Sequence, residues 1–428
     1  MNSRNVLSRR QLGALATAAI AAGAPALGVE PVRLSFWYPV DLGGGLAKVV
    51  DGLIADFSKA HPDIQVTPTY TGNYDTTLQK IQASKLAGTL PDVAVTEISS
   101  VPVLASSGAA QPLDGLIAEA GDSKFLTKFW PSMLLNCSYN GKPYGIPFQR
   151  STPVVYYNKD AFKAAGLDPE KPPVTWDTTV AAAQKLTKRD GNRVTQWGLE
   201  LPLEAFNWFY YALVYSNSGE CLSPDGTKVL WDQPSALGAL QFWHDLVNKY
   251  KVTPAYTPWN DGPQEFAAGR VAMVWHSTGS QAFMRQTVKF NWGLGRIPKH
   301  TQFGPPSGGG NMMLYATDPA QRKAAWTFIT WLSDAPQAAR WSIASGYLAT
   351  NIASWDLPEM QALIKQHPEV LVTKEQLPDA KAEPASAQYA PARDILNALI
   401  KDVLANKVQL EPATKAAVIS ANAAMAKQ

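Results

Sequence analysis

The first third of the chain alternates between strand-like and helix-like patterns of hydrophobic and polar residues. Residues 32–38 (VRLSFWY) are rich in β-branched and aromatic side chains, which predicts a first strand. Hydrophobic residues from Val49 to Phe57 then recur at helical spacing within residues 47–61. The alternation continues with predicted strands at 64–70 and 92–96 and predicted helices at 75–86 and 101–107. Strands and helices in this order predict a parallel sheet with helices on both faces.

Helical patterns dominate the rest of the chain. Predicted helices lie at 178–187, 205–215, 235–250, 319–332, 336–344 and 394–404, with strands between them at 198–201, 271–275 and 312–316. Residues 144–158 form an extended stretch that contains Pro147 and Pro153, which predicts a crossover between domains. Residues 304–310 (GPPSGGG) are rich in glycine and predict a flexible second crossover.

The N-terminus predicts an export signal rather than a structural element. Arg9 and Arg10 run directly into an apolar stretch, and residues 24–26 (APA) supply the small-x-small pattern that a signal peptidase reads. A membrane anchor needs about 20 apolar residues, and this stretch is shorter and is interrupted by Pro25. Residues 1–28 are therefore predicted to be a cleaved twin-arginine signal, with the general export route as the alternative. The mature protein is predicted to be periplasmic.

Removing that segment changes the charge of the chain. The full sequence has 38 Lys and Arg against 35 Asp and Glu, and residues 1–28 carry three arginines and no acid. The mature chain is therefore nearly neutral, which argues against a nucleic-acid-binding protein with a basic surface. The roughly 400 residues that remain are too many for one small core and predict two domains.

The sequence contains no catalytic motif, metal-ligand pair or nucleotide-binding loop. Residues 43–45 (GGG) lack the spacing of a phosphate-binding loop, and residues 293–295 (GLG) lack the third glycine of a dinucleotide turn. The five histidines are scattered and form no H-x-x-x-H pair. We therefore predict neither an enzyme nor a cofactor. Cys137 and Cys221 could pair in an oxidising compartment, but their positions alone leave that open.

Aromatic residues are abundant, with 14 Trp, 15 Tyr and 14 Phe. Most such residues fill cores. Flat aromatic faces near Asn, Gln, Ser and Glu also suit polyols and sugars, because the C–H faces of these ligands stack on rings while their hydroxyls accept and donate hydrogen bonds.

Several short segments together resemble a known family. They are TGNY at 71–74, PDV at 91–93, STPVVYYNKD at 151–160, FAAGRVAM at 266–273 and SGYL at 345–348. The chain resembles the extracellular solute-binding proteins of bacterial ABC importers, in the class that includes maltose-binding proteins. Within that class it is most similar to the branch that binds sn-glycerol-3-phosphate. The resemblance runs from about residue 32 to beyond residue 350.

This resemblance implies an α/β fold of two lobes, joined by a hinge, with the ligand in the cleft between them. Residues 29–146 with 307–337 would form lobe 1, and residues 147–306 with 338–428 would form lobe 2. Closure of the lobes would bury a small-molecule ligand and present it to inner-membrane permease subunits. The protein would act as a monomer.

The resemblance also implies a ligand-binding set. Its members are Tyr74, Glu97, Ser151, Trp208, Ser277, Gly309 and Tyr347. In the glycerol-3-phosphate branch, the acidic residue at Glu97 accepts hydrogen bonds from glycerol hydroxyls, and the tyrosines lie against the ligand. Glu97 could instead cap a helix, and Gly309 could be linker.

One departure from the branch concerns the phosphate. The branch uses a late arginine as a phosphate clamp, but residues 385–391 (ASAQYAP) contain none, and Arg393 matches a different, helical position. Either another cation such as Arg150 substitutes, or the ligand is not a phosphomonoester. We therefore expect glycerol-3-phosphate or a glycerophosphodiester, with a neutral sugar or polyol as the alternative. A secreted hydrolase is the alternative from another class, and it would need a second acid facing Glu97.

Overall fold

The computed structural model describes residues 30–39, 45–203 and 206–427, so the predicted export signal at 1–28 lies outside the described residues. The strands are β1 Val32–Tyr38, β2 Ile64–Tyr70, β3 Val93–Glu97, β4 Ser138–Tyr139, β5 Lys142–Pro143, β6 Gly145–Ser151, β7 Pro153–Asn158, β8 Lys188–Asp190, β9 Arg193–Gln196, β10 Met273–Ser277, β11 Trp292–Arg296 and β12 Gly308–Leu314. The helices are α1 Leu46–Ala60, α2 Tyr74–Ala87, α3 Val101–Ser106, α4 Asp114–Glu119, α5 Lys159–Ala164, α6 Trp176–Leu186, α7 Phe206–Ser216, α8 Pro234–Asn248, α9 Asp261–Ala267, α10 Gln281–Thr287, α11 Pro319–Ser333, α12 Ala335–Ser345, α13 Pro358–Gln366, α14 Val370–Glu375, α15 Ala390–Leu404 and α16 Leu410–Met425.

The larger sheet has the strand order β2-β1-β3-β12-β6. β1 is parallel to β2 and β3, whereas β12 is antiparallel to both of its neighbours. The parallel sheet predicted from the first third of the chain is therefore confirmed for its three strands, and β12 and β6 extend this sheet with antiparallel pairing. Only β1, β2 and β3 are joined by the helical crossovers that parallel pairing requires.

The first hydrophobic core lies against this sheet. Along β1 the residues Leu34, Phe36 and Tyr38 alternate with more exposed positions, so one face of the strand is buried. Helix α1 places Phe57 against this face, and the rings of Phe36 and Phe57 both contact Phe328 of α11 edge-on. The hydrophobic residues that set the periodicities of β1 and α1 in the sequence therefore pack against each other in one core.

The second core is mostly helical. Helices α7, α8, α15 and α16 pack around buried aromatic and aliphatic side chains, including Tyr210, Trp243 and Leu396. A smaller antiparallel sheet of order β10-β7-β11 lies beside these helices. Because β6 belongs to the first sheet and the next strand, β7, to the second, the chain passes between the sheets at Thr152, within the predicted crossover at 144–158.

Two predicted elements differ from the structure. The segment at 304–310 was expected to be flexible, but β12 begins at Gly308 and is hydrogen-bonded on both sides. The strand expected at 198–201 does not form, and that segment makes only isolated bridges, such as Glu200 with Val274. Glycine-rich composition does not distinguish a loose segment from one that needs close packing, and β12 is of the second kind.

The assignment of segments to lobes remains a prediction. Strand β6 continues through the predicted boundary at 146–147 and stays paired with β12 as far as Ser151. The Trp341 ring stacks on Phe148 at 4.6 Å between centroids and belongs to the first core. We infer that the chain changes lobe near Thr152 and again after Tyr347, somewhat later than the predicted boundaries.

Two further features bear on the predictions. Cys137 and Cys221 are both buried free thiols, so they do not pair. Among the described residues, no helix combines the length and the hydrophobicity needed to span a bilayer.

Candidate functional site

A cavity of about 660 Å³ opens between the two cores, and all seven residues of the predicted ligand-binding set line it. Glu97 and Gly309 come from β3 and β12 of the larger sheet and Tyr74 from α2, whereas Trp208 comes from α7 and Ser277 from the smaller sheet. The structure therefore brings together residues that are more than 270 positions apart in sequence. That they bind a ligand remains a prediction.

Tyr74 and Glu97 form the wall on the side of the larger sheet. Tyr74 is the first residue of α2, whose N-terminus is capped by Asn73 through a bond of 2.8 Å from the Thr76 N–H. Burial raises the pKa of the Tyr74 phenol well above its ordinary value, and the nearby Tyr347 and Glu97 raise it further. The phenol is therefore a neutral group that can donate a hydrogen bond within the cavity.

Glu97 caps a turn and also lines the cavity. It ends β3, and its Oε2 atom accepts a hydrogen bond of 3.0 Å from the Ser99 N–H and another from the Ser99 hydroxyl. It therefore caps the turn at Ile98–Ser100 while it lines the cavity. The cap orients the carboxyl group and leaves Oε1 for other partners.

Glycines at the start of β12 allow aromatic rings to approach the backbone. Gly309 has φ +90°, and a Cβ atom there would lie 1.7 Å from the Gln149 carbonyl oxygen. A Cβ on Gly308 would lie 2.6 Å from the ring of Trp208. The glycine run thus seats Trp208 against the strand, and the Trp208 indole N–H donates to the Ser307 carbonyl at 3.4 Å.

Two serines and Tyr347 complete the predicted set. Ser151 ends β6 and is buried. Ser277 ends β10, and its hydroxyl accepts a hydrogen bond of 3.0 Å from the Gly279 N–H, so its own proton can be donated to a ligand. Tyr347 packs over Gly279, where a Cβ would lie 3.0 Å from the ring, and burial raises the pKa of the Tyr347 phenol to about 12.

The opposite wall is aromatic. Trp208 contacts Trp259 edge-on, with 6.1 Å between ring centroids. The hydroxyls of Tyr211 and Tyr389 are hydrogen-bonded at 2.7 Å, and both residues line the cavity. This wall therefore offers flat apolar faces with polar edges, which suits a ligand with C–H faces or a cationic group.

Arg393 was predicted at a helical position and left out of the ligand-binding set, yet it is the one arginine among the described residues that lines the cavity. It lies on α15 and lines the cavity together with Asp394 and Asn397. Its Nη2 atom is 3.0 Å from Oδ1 of Asp75 on α2. The helical position of Arg393 was taken as evidence against a phosphate-binding role, but it is this position that places Arg393 at the cavity. The signal was the amphipathic pattern of α15, in which Leu396, Ile400 and Val403 are buried and the other face is polar.

Arg150, which was considered as a substitute cation, does not line the cavity. It is fully buried behind the cavity, where it donates to the Ser307 hydroxyl at 2.7 Å and to the Leu135 carbonyl at 3.1 Å. Glu383 was missed as well. It lines the cavity, and burial raises the pKa of its carboxyl group well above the ordinary value, with the nearby Glu97 adding to the effect. No local sequence pattern marks Glu383, because the segment that carries it has no regular periodicity.

The described residues contain no group of three or more His, Cys, Asp or Glu side chains placed to hold a metal ion. The side chains that line the cavity offer hydroxyls, one arginine and four carboxyl groups, those of Asp75, Glu97, Glu383 and Asp394, together with aromatic surfaces. Such a site can bind a small ligand that carries both hydroxyls and an anionic group.

Comparison with known proteins gives consistent results. The family of bacterial extracellular solute-binding proteins matches residues 52–370. The sn-glycerol-3-phosphate-binding periplasmic protein UgpB of Pectobacterium atrosepticum is 31% identical over 376 residues, which cover 84% of this chain and 82% of the relative. UgpB of Escherichia coli K12 is 31% identical over 350 residues, or 78% of each chain.

Solved structures share the fold. UgpB of Mycobacterium tuberculosis, in complex with glycerophosphocholine, superposes with a TM-score of 0.82 at 23% identity, and covers 94% of this chain and 100% of that one. The cyclic α-maltosyl-1,6-maltose binding protein of Arthrobacter globiformis has a TM-score of 0.79 at 25% identity, with 93% and 100% covered. The two-lobed periplasmic-binding-protein fold implied by the sequence motifs is confirmed.

Proposed function

The chain belongs to the bacterial extracellular solute-binding proteins, and from this premise we propose that it captures glycerol-3-phosphate or a glycerophosphodiester for import. Proteins of this family bind small ligands and work with ABC permeases. The named relatives at 31% identity bind sn-glycerol-3-phosphate. The chemistry of the cavity in this chain supports the same class of ligand.

The observation that carries the proposal is the presence of Arg393 and Glu97 in one cavity. A guanidinium group binds phosphate through charge-assisted hydrogen bonds, while a carboxylate accepts hydrogen bonds from vicinal hydroxyls. A glycerol phosphate carries both groups in one small molecule. The Tyr74 and Ser277 hydroxyls add neutral donors beside them.

The size of the cavity favours a ligand larger than a phosphomonoester of glycerol. Its volume of about 660 Å³ lies in the range of sites that enclose drug-sized molecules. The aromatic wall of Trp208, Tyr211, Trp259 and Tyr389 would accommodate the second substituent of a phosphodiester. The same wall supports the alternative ligand, a neutral sugar or polyol, because sugar rings stack on tryptophan and tyrosine.

Export and delivery follow from the same assignment. Residues 1–28 would direct the chain across the inner membrane through the twin-arginine route, and the mature monomer would work in the periplasm. Its partners would be inner-membrane permease subunits, and nucleic acid is not expected among its ligands.

We do not propose catalysis. A second acid, Glu383, does line the cavity with Glu97, which is a condition that a hydrolase would require. However, the family that matches this chain and its named relatives at 31% identity are binding proteins rather than enzymes.

Titration calorimetry and thermal unfolding with glycerol-3-phosphate, glycerophosphocholine, glycerol and maltose test the proposal. A glycerol phosphate should bind and raise the melting temperature, since a ligand at 100 times its Kd stabilises the native state by about 2.7 kcal/mol. Arg393→Ala should weaken phosphate binding about 10- to 100-fold, because a hydrogen bond to a charged group contributes about 1.5–3 kcal/mol.

The matched control is Arg340→Ala. Arg340 also pairs with one aspartate, Asp56, but on the surface of the first lobe and away from the cavity. This variant should bind like the wild type. Stabilisation by maltose together with no response to any glycerol phosphate would refute the proposed ligand.

A further inference from the structure

A buried histidine lies beside the part of the cavity wall where β10 ends. His276 is fully buried on this strand and directly precedes Ser277, which lines the cavity. Its Nε2 atom is 3.0 Å from the Trp259 carbonyl oxygen, and its Nδ1 atom is 2.6 Å from Oγ of Ser280. Trp259 and Ser280 also line the cavity. One imidazole ring therefore contacts two residues of the site, and neither belongs to the predicted ligand-binding set.

The two contacts determine which nitrogen of His276 carries the proton. A carbonyl oxygen only accepts hydrogen bonds, so Nε2 must carry the hydrogen and donate to Trp259. Burial lowers the pKa of His276 to about 3, because the charged ring would lose its contact with water, and the ring is therefore neutral near pH 7. In a neutral imidazole the other nitrogen carries no hydrogen. Nδ1 is therefore the acceptor, and the Ser280 hydroxyl is the donor.

This arrangement gives two serines of one turn opposite roles. Ser277 precedes the turn Thr278–Ser280, and Ser280 ends it. The Ser277 hydroxyl accepts a hydrogen bond of 3.0 Å from the Gly279 N–H, so its own hydrogen can be donated to a ligand. The Ser280 hydroxyl donates its hydrogen to His276, and among the described residues no other hydrogen bond uses this oxygen. Ser280 can therefore accept a hydrogen bond from a ligand but has no hydrogen left to donate.

His276 also holds an aromatic part of the wall. Its ring lies against the Trp259 ring, with 3.8 Å between centroids and 31° between planes. Because the Trp259 carbonyl accepts from the same imidazole, His276 contacts both the backbone and the side chain of Trp259. Trp208 contacts the Trp259 ring edge-on from the cavity wall. The imidazole thus links the hydroxyls of the turn to the aromatic wall.

We propose that His276 is a positioning residue that makes Ser280 a hydrogen-bond acceptor for a ligand hydroxyl. Ser277 and Ser280 then offer one donor and one acceptor within a single turn. Two adjacent hydroxyls of a glycerol unit match this pair, because each hydroxyl can both donate and accept. The inference rests on the proposed glycerol phosphate function, and it adds Ser280 to the residues that are expected to contact the ligand.

The first experiment measures calorimetric affinity for glycerol-3-phosphate and for two analogues that each lack one hydroxyl, 2-hydroxypropyl phosphate and 3-hydroxypropyl phosphate. Ser280→Ala should weaken glycerol-3-phosphate binding about 2- to 10-fold, as expected for one neutral hydrogen bond. It should leave unchanged the affinity for the analogue that lacks the hydroxyl bound by Ser280. His276→Gln should give the same pattern, because its amide can still donate to the Trp259 carbonyl but leaves no acceptor at the place of Nδ1.

His276→Asn is the conservative variant, because its amide oxygen can occupy the place of Nδ1 and accept from Ser280. It should keep the wild-type selectivity among the three ligands. His244→Gln is the matched control, since His244 lies on α8 outside the cavity, where its Nε2 atom is 3.0 Å from Oδ1 of Asn406. It should bind all three ligands like the wild type. Equal losses for the three ligands in Ser280→Ala or in His276→Gln would overturn the inference, because a purely structural disturbance does not distinguish one ligand hydroxyl from another.

A ligand-free measurement separates this inference from the proposed function. Long-range ¹H–¹⁵N NMR correlation at pH 7 distinguishes an imidazole with its hydrogen on Nδ1, on Nε2 or on both. The His276 signals, which are identified by their loss in His276→Gln or His276→Asn, should show hydrogen on Nε2 alone. A hydrogen on Nδ1 refutes the role of Ser280 as an acceptor whatever the ligand is. Hydrogen on Nε2 alone, together with failure of all glycerol phosphates to bind, refutes only the proposed ligand.

Discussion

Glu200 is a buried carboxyl group away from the cavity, and its burial makes the stability of the protein depend on pH. Only 1% of its surface is exposed. Burial raises its pKa to about 8, and the nearby carboxylate of Glu265 adds to the effect. Because the folded state binds this proton more tightly than the unfolded state does, stability is greatest below the unfolded pKa near 4.5. It declines as the pH rises towards about 8 and is then constant.

We therefore expect Glu200→Gln to remove this decline. Between pH 5 and pH 8.5 the wild type should lose on the order of 3 kcal/mol relative to the variant, since one pKa unit corresponds to about 1.4 kcal/mol. Urea unfolding followed by circular dichroism at a series of pH values measures the difference. Glu359→Gln, at an exposed position on α13, should keep the wild-type dependence. Parallel curves for the wild type and Glu200→Gln would contradict the assignment.

Residues of the site differ in how readily the sequence predicts them. Tyr74 and Tyr347 lie in short motifs, TGNY and SGYL, which carry the family resemblance, and both line the cavity. Arg393 is not at the position of the clamp arginine in the family's motif, but it lies on the polar face of α15 that borders the cavity. Glu383 is held in place by Asn136 and by backbone contacts from remote segments, and such contacts leave no trace in local sequence.

At the scale of elements, β12 connects the sheet to the cavity. Its glycines leave space for the rings of Trp208 and Tyr74. A Cβ atom on Gly310 would lie 3.1 Å from the Tyr74 ring. Composition alone suggested a flexible crossover at this point. The elements predicted well, such as α1 and β1, have one buried face and a clear period, whereas β12 is buried on both faces and shows none.

Gly309→Ala should therefore lower the free energy of unfolding by more than the cost of placing alanine in a left-handed conformation. A left-handed conformation costs a residue with a Cβ about 1–2 kcal/mol, and displacing the Gln149 carbonyl should add about 1–3 kcal/mol. The matched control is Gly269→Ala, which has φ +70° but open space around its Cβ. Urea unfolding should give a clearly larger loss for Gly309→Ala. Equal losses would show that β12 can move away from the new side chain.

At the scale of the whole molecule, one charged contact spans the cavity between the two lobes. Helix α15, which carries Arg393, packs in the second core, whereas Asp75 on α2 lies on the side of the first core. Their ion pair therefore joins the lobes at the edge of the cavity. A ligand shifts the balance between open and closed lobes only by its additional affinity for the closed form. An ion pair between the lobes contributes to the same balance without ligand.

Asp75→Asn should therefore shift the ligand-free protein towards the open form. The Asp75 side chain is 66% exposed, so the pair should contribute no more than about 1 kcal/mol, equivalent to a roughly fivefold change in the open–closed ratio. Small-angle X-ray scattering should show a larger radius of gyration without ligand and the same radius as the wild type at saturating ligand. High salt should reproduce the shift in the wild type, because it screens exposed charges.

Asp56→Asn, which breaks the pair with Arg340 within one lobe, should leave the radius of gyration unchanged. The same radius in ligand-free Asp75→Asn and wild type would show that the pair does not control closure.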